Sequence, residues 1–361
     1  WWYRPVRRAH HGAVELVPYL DALGVSHVYL SPCLQATARS AHGYDVADPT
    51  RINEELGGQR AFDALARAVR ERGMGLVIDI VPNHMAIGSR RNRWWWDVLE
   101  NGPCSLYAEH FDVDWDHPEA RLKQKVLLPV LGDHYGRVLE AGKLAVVREE
   151  TDLLLRYHEH RFAVSPESVA PWLSRAAEVT GSGELADVAR RLADLPRPEI
   201  DDHDGKQRRA ELTQALGVVV SELLERDRAA ARAVDEQIAV LSRDADELDA
   251  FLEEQSYRLA YWRTARWDLG YRRFFDIDTL VGLRIEDEQV FADTHGKVLE
   301  WLSRGDVDGL RVDHPDGLKD PERYARRLRE ADPGVWVVAE KILHAGEGLP
   351  RSWPVDGTTG Y

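Results

Sequence analysis

Sulfur is scarce in this chain, whose 361 residues include only two cysteines, Cys33 and Cys104, and two methionines. Neither a CxxC spacing nor a dense His/Cys cluster occurs, so a disulfide framework and a zinc site are both excluded as organising devices. A reducing, cytoplasmic setting follows as the expectation. Long apolar runs are missing too. No stretch of about 18 apolar residues appears, and the start shows no basic segment leading into an apolar one, so neither a membrane span nor a secretory signal is visible. Positive charge is outnumbered: 47 Lys and Arg face 62 Asp and Glu, a formal net charge of −15. That balance disfavours nucleic acid and anionic membrane as partners and suits a neutral or cationic ligand. Walker loops, GxSxG and HExxH are absent. DVDWD at residues 112–116 starts like a calcium loop but places His117 and Lys123 where Gly and Glu are needed.

The pattern that is present is an alternation of helix and strand. VELVPYLDALG (14–24) and QRAFDALARAVRERG (59–73) have amphipathic helical spacing, and each is followed by a short apolar strand, VSHVYLSP and MGLVIDIVP. Gly24 and Gly73 stand where helix C-caps belong. The same grammar returns over residues 290–341, with VFADTHGKVLEWLSRG, VDGLRVDH, PERYARRLREA and GVWVVAEK. Between the two blocks the composition changes. Residues 90–165 are rich in Trp, Asp and Pro with short strand-like runs, and residues 166–285 are mainly helical by spacing. An insertion of this length after one strand is most easily carried on the rim of a barrel. The expected fold is therefore α/β, a (β/α)8 barrel assembled from residues 1–89 and 286–361, with the insertion after its third strand. About six strands are expected in this stretch, and the first of them, in WWYRPVRRAHHG, carries an unusual Pro and basic cluster.

Three of the expected strands end in a carboxylate: Asp79 in VIDIVPNH, Asp313 in GLRVDH and Glu340 in VWVVAEK. One buried Asp on a strand is as readily a structural group bonded to backbone. Three at strand C-termini of one barrel converge on a single mouth. Asp313 and Glu340 are separated by one helix and its loops, so they belong on neighbouring strands about 4.8 Å apart. That approximates the separation of about 5–5.5 Å between the two acids of a retaining glycosidase. Arg311 shares a strand face with Asp313 and is expected to keep it ionised, while Glu340 would hold a proton in a less polar setting. A purely structural Arg–Asp pair is the competing reading. HGYDVADP (42–49) adds Tyr44, whose ring suits stacking on a sugar, and Asp45, which can accept from hydroxyls. The triplet Trp94–Trp95–Trp96 offers either sugar platforms or packing.

DIVPNH, then GLRVDH, then AEK after an apolar strand, in this order around a large insertion, resembles the α-amylase superfamily of (β/α)8-barrel enzymes. Longer strings are similar to the maltooligosyl trehalose synthase family within it: HGYDVADPTRINEELGG, PNHMAIG with WWWDVLENGP, YRLAYWRTARWDLGYRRFFDID and VDGLRVDHPDGLKDP. This resemblance implies Asp313 as nucleophile and Glu340 as acid/base, with Arg311 supporting Asp313. It implies that Tyr44, Asp45, Asp79, His84 and His314 bind substrate. The implied substrate is a maltooligosaccharide whose reducing-end α-1,4 linkage becomes an α,α-1,1 linkage by two inversions, with no cofactor and no metal. Residues 257–275 are the candidate for holding the released glucose. A third carboxylate and further strands are expected beyond Tyr361, as for an N-terminal piece. Two alternatives stay open: an α-glucan hydrolase sharing the acid pair, and a non-catalytic glucan-binding protein.

Overall fold

Alternation of outward apolar and inward polar residues builds one sheet of five strands: β1 (His27–Leu30), β2 (Gly75–Ile80), β3 (Gly309–Val312), β4 (Trp336–Ala339) and β5 (Gly357–Thr358). The computed structural model describes residues 10–359. All four strand pairings are parallel and follow chain order, β1-β2-β3-β4-β5. A doubly wound sheet would reverse its order near the middle, whereas this uninterrupted succession is that of a barrel wall. The strand expected within residues 1–12 falls largely outside the described residues, and His10–Val14 is helical.

Three helices precede three of these strands: α1 (Gly58–Arg70), α2 (Glu288–Ser303) and α3 (Pro321–Ala331). Their starts and stops are written locally. Asp287 accepts from the amides of Gln289 and Val290 at the head of α2, and Asp320 accepts from Arg323 N–H at the head of α3, where Pro321 needs no partner for its missing N–H. Gly24 and Gly73 have φ of 79° and 66°, the left-handed conformation that lets the chain leave a helix and turn into β1 and β2. The helix-facing side of the sheet is apolar throughout. Leu76, Ile78 and Ile80 of β2, Leu310 and Val312 of β3 and Val337 of β4 share one buried cluster with Phe62, Leu65, Trp301 and Leu328 of the helices. Phe62 of α1 stacks on Trp301 of α2, ring centres 4.5 Å apart.

The chain forms two compact units, one running to Asn92 and resuming at Arg273, the other spanning Arg93–Arg272. The insertion therefore closes earlier than the residue 285 expected from composition. The reason is a strand pairing: Ile277–Gly282 lies antiparallel to His84–Ala86 and so belongs with the barrel. Within the inserted unit a three-stranded antiparallel sheet, Leu144–Glu149, Asp152–Tyr157 and His160–Ala163, precedes helices that run from Pro166 to Glu253. Tyr257–Tyr261 then returns to pair with Val126–Leu131, so the two expected pieces of the insertion interleave. Two of the Trp94–Trp96 triplet are packing residues, whereas Trp262 and Trp267 of the same unit are exposed. Trp95 is buried edge-on against Phe111 and Tyr271, and Trp94 stacks on Tyr107.

Trp301 is fully buried between α1 and α2, so Trp301→Ala is expected to cost about 3–5 kcal/mol. Urea unfolding followed by circular dichroism would show this as a lower midpoint at unchanged slope.

Candidate active site

The inward side of β2, β3 and β4 carries the charges. In the sheet register Asp79 lies opposite Arg311, and Arg311 lies opposite Val338. The ladder continues past the strand ends, with Asp313 N–H on Ile80 O and Glu340 N–H on Val312 O, both at 2.9 Å. Arg311, Asp313 and Glu340 therefore project from fixed backbone at one end of the sheet.

A single guanidinium joins three carboxylates. Arg311 Nη1 donates to both oxygens of Asp79 at 2.8 Å and to Asp313 Oδ1 at 2.9 Å, while Nη2 lies 2.9 Å from Glu340 Oε1. Tyr44 Oη donates to Asp79 Oδ2 at 2.6 Å, and Tyr29 Oη donates to the same oxygen. The Arg311 guanidinium sits 5.9 Å from the Tyr44 ring centre. Glu340 Oε2 accepts the backbone N–H of His314 at 3.1 Å. His314 occupies the left-handed region, φ 44° and ψ 54°, uncommon for a residue with a side chain and found most often where the surroundings impose it. Beyond the cluster, Lys341 Nζ reaches Asp316 at 3.1 Å and Glu347 at 3.1 Å, tying together the segments that follow β3 and β4.

Several expectations are changed by this geometry. Asp79 was expected to touch a sugar, but its carboxylate is 0% exposed, its oxygens occupied by Arg311 and two tyrosine hydroxyls. It lies beneath the mouth. His84 is likewise buried, its Nε2 3.2 Å from the carbonyl of Tyr44 and its ring 4.3 Å from that of Phe274. Asp45 turns into its own loop, where it accepts from the hydroxyls of Thr37 and Ser40 and so braces the segment bearing Tyr44. Tyr44, Arg311, Asp313, His314 and Glu340 do come together. Of residues 257–275, those through Arg272 belong to the inserted unit, whereas Phe274 and Phe275 pack around His314. Tyr29 went unrecognised, although its position in HVYL, paired with Val77, has the same strand phase as Asp79.

The protonation pattern is also altered. Burial pushes the Asp313 carboxyl up to about 7, the nearby Asp79 adds to this, and Arg311 opposes it. One guanidinium cannot neutralise three carboxylates. Arg311 lowers the Asp313 carboxyl, as the pair reading expects, but burial and the charges of Asp79 and Glu340 outweigh it. Burial raises Asp79 as well, and burial together with the Asp79 charge holds the phenols of Tyr29 and Tyr44 above their ordinary range. Glu340 faces a guanidinium and a backbone N–H, in place of the less polar setting expected. Among the described residues no group of three or more His, Cys, Asp or Glu is placed to hold a metal ion.

Comparison with known proteins agrees with this architecture. The α-amylase catalytic domain matches residues 10–136. A Mycobacterium tuberculosis protein (strain CDC 1551 / Oshkosh) named "Putative maltooligosyl trehalose synthase" is 38% identical over 97% of this chain and 34% of its own length. The structure of maltooligosyltrehalose synthase from Arthrobacter ramosus superposes with a TM-score of 0.71 at 36% identity, covering 99% of this chain and 37% of that one. A Bacillus subtilis intracellular maltogenic amylase is 34% identical over 35% of this chain and 18% of its own length. Parallel strand order, three strand-end carboxylates and the domain match together place the chain in the α-amylase family of (β/α)8-barrel proteins. Within it, the chain is a homologue of the maltooligosyl trehalose synthases. It spans about a third of the length of those relatives.

A carboxyl whose folded pKa lies above its unfolded value, near 3.9, holds more proton in the folded state between those limits. Asp313 therefore subtracts stability progressively as pH rises from about 4 to about 7, and the loss levels off above its folded value. Asp313→Asn removes this titration. The stability of Asp313→Asn relative to the parent is expected to climb across that interval in urea titrations; a flat difference would contradict a raised Asp313.

Proposed function

We propose that the chain carries the acid pair of an intramolecular transglucosylase, which converts the reducing-end α-1,4 linkage of a maltooligosaccharide into an α,α-1,1 linkage. The observation that carries this reading is the Arg311 bridge, which holds Asp313 and Glu340 within hydrogen-bond reach of one guanidinium. Acids that follow two directly paired strands suit a retaining double displacement, whose two carboxyls stand about 5–5.5 Å apart. The likeness to maltooligosyl trehalose synthases over nearly the whole chain supports transfer in preference to hydrolysis.

In this reading Asp313 attacks the anomeric carbon and Glu340 protonates the departing glycosidic oxygen. Asp313 must be ionised for the first act and Glu340 protonated for the second. In the ligand-free site burial raises the Asp313 carboxyl, and Glu340 faces the Arg311 guanidinium and the His314 N–H. A glycosidic oxygen placed against Glu340 needs a proton donor there. In the second half the glucose anomeric hydroxyl attacks the glycosyl-enzyme: its O–C1 bond forms, the bond from C1 to Asp313 breaks, and its proton passes to Glu340.

Tyr44 supplies the stacking face beside the reacting ring, and Asp79, Tyr29 and Asp45 act as positioning residues. His314 contributes its backbone to Glu340, and His84 supports the Tyr44 loop. No cofactor or metal enters these steps. The two cysteines are unpaired, which suits a cytoplasmic location, and no described helix is long and apolar enough to cross a membrane.

With maltopentaose, reducing ends are expected to disappear without matching release of glucose. Reducing ends that increase instead would favour the α-glucan hydrolase reading, and binding without turnover would favour a non-catalytic protein. Asp313→Asn should lower turnover by about 10³-fold or more, measured by the same reducing-end assay.

A further inference from the structure

A bulky aromatic side chain stands exposed in a backbone conformation that favours glycine. Phe274 pairs with Ile277, which leaves Phe275 and Asp276 as a two-residue hairpin turn. Phe275 has φ 48°, and the first position of such a turn with φ above zero is normally glycine. The tip is pinned nonetheless, because Arg273 is bonded to both Asp276 and Asp278. The strain is not offset by burial, for Phe275 remains 68% exposed. Strain maintained at an exposed aromatic next to reactive groups is a sign of function.

Position tells which function. The Phe275 ring lies 4.9 Å from that of His314 and 4.6 Å from that of Phe274, and Phe274 lies 5.1 Å from His314. His314 is the residue whose backbone N–H holds Glu340 Oε2. Space for the His314 ring is provided by Gly317, where a Cβ would come within 2.5 Å of His314 Cδ2 and 2.8 Å of Asn83 Oδ1. Tyr44 is tied instead to Asp79 beneath the mouth. Through His314 the aromatic set is tied to Glu340, near which the leaving sugar must be when its oxygen takes the proton.

We propose that Phe275, backed by His314 and Phe274, is the stacking platform for the departing hexose, and that it sets the ratio of transfer to hydrolysis. This rests on the transglucosylase reading given above. A pyranose held flat on Phe275 keeps its anomeric hydroxyl beside Glu340 and occupies the space from which water would attack. The choice is between two balanced steps. Either the hexose hydroxyl forms the new O–C1 bond, or water does; in both the bond from C1 to Asp313 breaks and the proton goes to Glu340.

The test uses the full chain carrying Phe275→Ala and Phe275→Tyr, with maltopentaose as substrate. Non-reducing product is quantified against released glucose. Phe275→Ala is expected to raise the hydrolysed share at least about fivefold, a stacking contribution of ordinary size, while Phe275→Tyr returns it to within about twofold of the parent. An unchanged share in Phe275→Ala overturns the proposal, even where thermal stability or total turnover falls. A second measurement needs no turnover. On an Asp313→Asn background, calorimetry with maltopentaose should show a Kd raised about fivefold by Phe275→Ala, and an unchanged Kd also overturns the platform. A parent protein that forms no non-reducing product, yet shows this Phe275-dependent Kd, would sink the transglucosylase reading while leaving the platform in place.

Discussion

Arg311 is the joint on which the inward face of the sheet depends. Its guanidinium joins Asp79 of β2, Asp313 just past its own strand β3 and Glu340 just past β4, so three successive strands meet at one planar cation. Burying a charge in this way is costly unless every hydrogen-bonding direction is used. Here the donors from Tyr29 and Tyr44 complete the shell of Asp79, and the His314 N–H occupies the remaining side of Glu340. A lysine would carry the same charge but not the planar fork that reaches several carboxylates at once.

The two faces of these strands divide the work. Leu310 and Val312 join the apolar cluster that fixes the sheet against its helices, while Arg311 and Asp313, one residue out of phase, build the site. Because β2, β3 and β4 are held rigidly by the first face, the charges of the second cannot relax apart. Burial, with the Asp79 charge held close by, pushes the Asp313 carboxyl up to about 7. Pre-organisation of this kind fixes charged groups in place before any ligand arrives.

Much of this was legible in residue order. The period of two in LVIDI and GLRVD assigns each residue to a face without reference to any partner, and the Gly-terminated helices before VSHVYL and MGLVIDI announce parallel βα units. The acids at three strand ends then point to one mouth. The roles within the mouth were less legible. Asp79 and Asp313 look alike in sequence, but the register sets Asp79 opposite Arg311 and level with two hydroxyls, and so removes it from the surface. Asp45 differs from a sugar-binding acid only in that Thr37 and Ser40 reach it first. The limit of the insertion was missed because Ile277–Gly282 pairs with residues far back in the chain, at His84–Ala86.

Sequence by itself determined the faces, the order of the strands and the chemical types available at the site, because those follow from local periodicity and covalent spacing. Tertiary structure alone decided which carboxylate is sequestered, which is pushed up by burial and which aromatic ring is left exposed beside His314. Those outcomes depend on strand register and on competition for a limited number of hydrogen bonds around Arg311, and both are set between residues distant in the chain.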